Sequence, residues 1–126
     1  MTGDRRNPEA SRGESLFAVL GAGSWGTALA MQLMRAGAGV VLWDWDRAHI
    51  EAIAEARCNT RHLPDYPLPD GMLIEPDLEK AVRMADEILI VVPSHAFAGL
   101  LKQIAPWLAP GDALPVTKHM TPGAVV

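Results

Sequence analysis

FAVLGAGSWGTALAMQLMRAG, residues 17–37, is the stretch whose reading decides the fold. Residues 17–20 are a short apolar run, Gly21-Ala22-Gly23-Ser24-Trp25-Gly26 follows, and residues 27–35 are helical in composition. Strand, glycine turn, helix is the order that a dinucleotide site requires. Gly21 permits a tight turn off the strand. Gly23, without a Cβ, lets a pyrophosphate approach the backbone, and Gly26 lets the helix pack close to the strand. The helix start then offers unpaired N–H groups and a partial charge of roughly +0.5. The bland alternative is a glycine-rich turn with no ligand; the flanking strand and helix favour the ligand.

Outward from this stretch the chain alternates. A first strand covers residues 15–20 and a first helix residues 25–36, with Ala28, Leu29, Leu33 and Met34 on an apolar stripe and Gly37 and Gly39 as stops. A second strand at 39–44 leads to a helix at 46–57, for which Asp46 is a plausible N-cap and Ile50, Ile53 and Ala54 the inward face. Residues 59–71, NTRHLPDYPLPDG, hold three prolines and form a loop. A short strand at 72–74, a third helix at 77–84 with Pro76 at its start, and a strongly apolar strand at 86–92 follow. Ser94 is the expected cap of a helix at 95–108, and residues 114–117 read as a last strand. The fold class is therefore α/β: a Rossmann-type parallel sheet with helices on both faces, incomplete at its C-terminus.

Composition narrows the function. The 126 residues suit one domain, residues 15–126, behind a polar tail at 1–14 that reads as disordered. The net charge is −4, from 11 basic and 15 acidic residues, and no basic cluster with interleaved aromatics points to nucleic acid. No apolar run reaches membrane-spanning length, and residues 1–14 lack the apolar segment of a signal peptide. The single cysteine, Cys58, has no disulfide partner in the chain, which fits a reducing, cytoplasmic compartment; it reads as a helix-end residue. His49, His62 and His119 share no metal-ligand spacing with Cys58 or one another, so no metal is expected.

Four blocks carry a family likeness: GAGSWGTALA (21–30), RCNTRHLPDYPLPDG (57–71), ILIVVPSHAF (88–97) and VTK (116–118). In that order and spacing they resemble the N-terminal domain of bacterial NAD(P)-dependent glycerol-3-phosphate dehydrogenase, over about residues 16–118. The resemblance implies reduction of dihydroxyacetone phosphate to sn-glycerol 3-phosphate, or the reverse, feeding phospholipid synthesis. It implies a Rossmann-type domain followed by a helical one. It also places Ser24 and Trp25 on the cofactor phosphates, Pro93 and Phe97 beside the cofactor, and Lys118 within reach of cofactor and substrate. Two departures stand out. The family usually reads TKG where this chain has Thr117-Lys118-His119, and the sequence stops at Val126 without the helical domain. Little or no turnover is expected of a chain ending there, and the apolar surface near 107–126 is a candidate face for self-association.

The chemistry assigned to each residue follows from type and place. Hydride transfer to a ketone builds negative charge on the carbonyl oxygen, which a lysine can stabilise and protonate; Lys118 is the candidate, with a frayed surface lysine as the alternative. Asp44 ends the second strand eighteen residues beyond Gly26, close to the spacing of a ribose-binding carboxylate. That carboxylate would repel a 2′-phosphate and leans the choice between NAD and NADP toward NAD, whereas Arg47 is near enough in sequence to hold such a phosphate. In the family, NADP users often carry a basic residue at the place of Trp45, whose ring could instead lie on adenine. His95 and Trp107 have structural readings: a satisfied helix-end histidine and a core or interface tryptophan. A non-catalytic dinucleotide-binding module and a related ketopantoate or hydroxyacid reductase remain the competing functions; LPDYPLP and VVPSHAF argue against the second.

Overall fold

A computed structural model describes residues 15–108 of the chain. The first strand, β1 (Leu16–Leu20), is almost wholly apolar and lies between two parallel neighbours, β2 (Gly39–Trp43) and β4 (Glu87–Ile90). The short β3 (Leu73–Ile74) pairs with β2, so the order across the sheet is β3-β2-β1-β4. The chain thus winds outward from β1 through β2 to β3, then returns past β1 to lay down β4. The carboxyl end of β1 stands where that order reverses, the place at which open α/β sheets hold ligands.

Strand side chains alternate between two apolar clusters. Ala18, Leu20, Val41, Trp43, Ile88 and Ile90 face one side, where they meet Leu78, Ala81 and Val82 of α3 (Leu78–Met84) and Leu100 and Ile104 of α4 (Ser94–Ile104). Val19, Val40 and Leu42 face the other side, with Ala30 and Met31 of α1 (Ser24–Arg35) and Ile50 and Ile53 of α2 (Arg47–Ala56). Burial on both faces is why these strands are continuously apolar. The expectation of a parallel sheet covered on both sides is met over the described residues.

Several local expectations shift. In α1 the buried residues are Gly26, Thr27, Ala30 and Met31; Ala28 is exposed and Leu29, Leu33 and Met34 are half-buried. The stripe is rotated because the helix approaches the sheet glycine-first. Asp46 does cap α2, accepting from the His49 amide. Pro76 is not in α3: Asp77 caps that helix by accepting from the Glu79 and Lys80 amides, and the Pro76 carbonyl accepts from Trp43 Nε1 at 3.1 Å. Ser94 is the first helical residue of α4, not its cap; Pro93 precedes it and no side chain caps the end. Helix α4 closes at Ile104, and Ala105–Trp107 tighten into one 3₁₀ turn around Pro106, which has no N–H to extend the helix. The 57–72 connection is more ordered than its prolines suggest. Arg57, in the left-handed region at φ 52°, donates through its guanidinium to the carbonyls of Pro69 and Met72, both at 3.0 Å, and Cys58 forms an antiparallel bridge with Pro67. The tail at 1–14, the strand at 114–117 and Lys118 lie outside the described residues.

Candidate cofactor site

The turn from β1 into α1 is built by three glycines with three different reasons to be glycine. Gly21 has φ +126°, and a Cβ there would fall 2.0 Å from the Val91 carbonyl oxygen. A Cβ on Gly26 would fall 1.8 Å from the Gly21 carbonyl oxygen. Both positions are closed by backbone. Gly23 is different: its φ of −79° suits any residue, and a Cβ there would meet nothing within 4 Å. The fold does not require glycine at 23. Beyond it, the amides of Gly23, Ser24, Trp25 and Gly26 have no hydrogen-bond acceptor among the described residues, as the first turn of a helix leaves them.

These residues floor a cleft of about 500 Å³ at the carboxyl ends of β1, β2 and β4. Asp44, Trp45, Asp46, His49, Arg61, His62, Val92 and Pro93 are among its walls. A second depression, about 370 Å³, runs between the end of β2 and α4 and shares Trp45 and Val92 with the first. Of the residues singled out from sequence, Gly21, Gly23, Ser24, Trp25, Gly26, Asp44, Trp45 and Pro93 come together on the cleft. Trp25 and Trp45 are 51% and 75% exposed, apolar rings facing solvent beside it. Phe97 does not join them; it packs half-buried against the α3–α4 cluster.

Asp44 is nearly buried, and both carboxylate oxygens already accept hydrogen bonds: Oδ1 from the Ala22 amide at 2.8 Å and Oδ2 from the Asp46 amide at 3.0 Å. Each oxygen keeps lone-pair capacity toward the cleft. Arg47, the sequence candidate for a 2′-phosphate contact, instead pairs with Glu51 at 2.9 Å on the exposed face of α2. The arginine on the cleft is Arg61, which reaches Asp46 at 3.5 Å. The Asp46 carboxyl is held below its ordinary value, first by the His49 amide and then by Arg61. His62 takes a proton less readily than a free imidazole, through burial first and then the nearby His49 and Arg61. The His49 and His62 rings meet edge to face with centroids 5.4 Å apart.

Sequence reasoning missed the polar cluster beneath the turn: Thr27, His49 and Asn59 are buried and join Asp44 around Ala22. The only signal available was a run of polar residues, CNTRH, that the chain had to bury or solvate. Among the described residues no three His, Cys, Asp or Glu side chains are grouped to hold a metal ion, and no described helix is long and apolar enough to cross a membrane.

Known proteins match this geometry. Residues 17–122 match the family described as NAD-dependent glycerol-3-phosphate dehydrogenase N-terminus. A glycerol-3-phosphate dehydrogenase [NAD(P)+] of Colwellia psychrerythraea is 53% identical over 90 residues, 71% of this chain and 27% of the relative. That of Halorhodospira halophila is 51% identical over 106 residues, 84% of this chain and 32% of the relative. The crystal structure of glycerol-3-phosphate dehydrogenase from Coxiella burnetii superposes with a TM-score of 0.78 at 36% identity, over 82% of this chain and 32% of that one. The chain spans about a third or less of the length of the relatives it matches. A strand–glycine turn–helix whose first amides have no acceptor among the described residues, at the reversal point of a parallel sheet and matched over 17–122, makes this chain a member of the NAD-dependent glycerol-3-phosphate dehydrogenase family, corresponding to its N-terminal, cofactor-binding domain.

Proposed function

We propose that the cleft binds the adenosine and pyrophosphate part of NAD, and that the chain serves the interconversion of dihydroxyacetone phosphate and sn-glycerol 3-phosphate. The observation that carries this reading is Gly23: a glycine with no backbone need, open space where its Cβ would be, and an amide that, like those of Ser24, Trp25 and Gly26 after it, has no acceptor among the described residues. An anion fits that cradle, with the helix start supplying N–H groups and partial positive charge. The adenine ring fits the depression beside Trp45, Ala96, Gly99 and Leu100. Ser24 and Trp25 are assigned to the phosphates, and Pro93, which lines the same cleft, to the cofactor's flank.

The ribose hydroxyls fall to Asp44, whose remaining lone pairs accept them while its two existing bonds fix the carboxylate. Two carboxylates, Asp44 and Asp46, stand at this edge, and Arg61 is already engaged with Asp46. That balance disfavours a 2′-phosphate and supports NAD over NADP. The nicotinamide, when bound, supplies or accepts the hydride. Lys118 is assigned to the substrate carbonyl, stabilising the developing oxyanion and giving the proton. By kinship with the family, the setting is cytoplasmic glycerophospholipid synthesis.

Titration with NADH and NADPH, followed by quenching of the exposed Trp25 and Trp45, tests the reading. Saturable quenching with tighter NADH binding is expected. A chain that is folded by circular dichroism and binds neither dinucleotide would overturn it. In the full native chain, Lys118→Met is expected to lower kcat for dihydroxyacetone phosphate by about 10²-fold or more with NADH binding retained.

A further inference from the structure

Ala22 gives the cleft almost no side chain, yet buried side chains from separate elements grip both of its peptide groups. Its N–H donates to Asp44 Oδ1 at 2.8 Å. Its carbonyl accepts from Asn59 Nδ2 at 2.9 Å and lies 3.0 Å from His49 Nε2. A carbonyl can only accept, so His49 carries a hydrogen on Nε2. Asn59 spends its second amide hydrogen on Thr27 Oγ1 at 2.8 Å, and its Oδ1 accepts the His62 N–H at 3.2 Å. Asn59 and Thr27 are fully buried, His49 is 5% exposed and Asp44 8%.

Resting on the cofactor reading above, we propose that Asn59 and His49 are positioning residues that lock the Ala22–Gly23 peptide plane for the pyrophosphate. The peptide is planar and trans, so its carbonyl and N–H point in opposite directions. Holding the Ala22 carbonyl inward fixes the Gly23 N–H on the other side of the plane, where it has no partner among the described residues. Gly23 is the residue most able to let that plane flip, because glycine tolerates either orientation. A flip would turn a carbonyl oxygen toward the phosphates and take away a donor. The glycine that admits the ligand therefore creates the freedom that Asn59 and His49 remove. Asn59 also ties the 57–72 connection to the turn, which gives this loop a part in cofactor binding although most of it lies outside the cleft.

The test compares His49→Leu, His49→Gln and Asn59→Asp in the full native chain. Asn59→Asp keeps the shape and replaces the donor with an acceptor facing the Ala22 oxygen; His49→Gln keeps a donor and His49→Leu does not. Affinities for NADH, ADP-ribose and adenosine are read by tryptophan quenching. His49→Leu and Asn59→Asp are expected to weaken NADH and ADP-ribose by about tenfold, leave adenosine within about twofold, and be rescued at position 49 by Gln. A merely structural role would weaken all three ligands together and show no rescue. If Asn59→Asp does not fold, the His49 pair decides. Wild-type protein that binds NADH while both His49 variants bind it equally well would overturn this inference alone. A folded wild type that binds no dinucleotide would overturn the cofactor reading and this inference with it.

Discussion

Helix α1 is bracketed by two glycine turns, and they are glycine for unlike reasons. At its C-terminal end Gly37 has φ +100°, and a Cβ there would meet nothing within 4 Å. That glycine serves backbone geometry alone: it terminates the helix and its amide bonds to the Met34 carbonyl. At the N-terminal end, Gly21 and Gly26 are shut in by carbonyl oxygens 2.0 and 1.8 Å from where a Cβ would sit, whereas Gly23 is neither strained nor crowded. Only the front turn is underpinned by a buried polar cluster, and only there does a glycine stand without a structural reason. Such a residue is where a ligand is to be sought.

The sharpest way to break this contrast is Gly26→Ala. The added methyl meets backbone rather than a movable side chain, so α1 must shift off β1 at a cost of about 3 kcal/mol or more. A chemical-denaturation midpoint close to that of the wild type would show that the helix is not held where it is described. Next comes Gly23→Ala, which separates ligand from fold. Stability is expected to stay within about 0.5 kcal/mol while NADH affinity falls about tenfold. Equal affinity would remove the main support for the cradle. Gly37→Ala should do the reverse: a loss of about 1–2 kcal/mol from the positive φ, with NADH binding unchanged in the folded protein.

The smallest effect is the pH response, which among the described residues is drawn from Asp46 and His62 at the front turn. His62 binds a proton less readily folded than its ordinary value of 6.5 implies, so below that pH the unfolded chain takes up more protons. Its contribution to stability is whole above 6.5 and is lost as pH falls through the lower folded value. Asp46 follows the same sign from 3.8 downward. Melting temperatures measured between pH 7.5 and 5 should drift down slightly in the wild type and less in His62→Asn. An equal drift in both would assign the response to other groups.

Much of this was legible in the chain. β1 and β2 are continuous apolar runs because both faces are covered, Asp46 announces α2, and GAGSWG announces the turn. Eight of the residues marked for the site do meet on one cleft. Less legible was the phase of α1: hydrophobicity favours Ala28, but close approach through Gly26 buries Thr27 in its place. Phe97 is apolar and three residues into α4, and nothing local says that it turns to the core. Arg47 and Arg61 are equally basic on paper; the i,i+4 partner Glu51 draws the first away from the cleft, and the ordered 57–72 connection brings the second to it.

By itself the sequence determined the order of strands and helices, the parallel sheet and the place of the turn, because these follow from periodicity, caps and the steric freedom of glycine acting over a few neighbours. The tertiary structure alone decided which polar residues hold that turn. Asp44, His49 and Asn59 stand 22, 27 and 37 residues from Ala22, and they converge on its peptide only once β2, α2 and the following loop have packed against β1. A hydrogen bond needs its partners within about 3 Å, and no pattern along the chain encodes which distant groups will meet that demand.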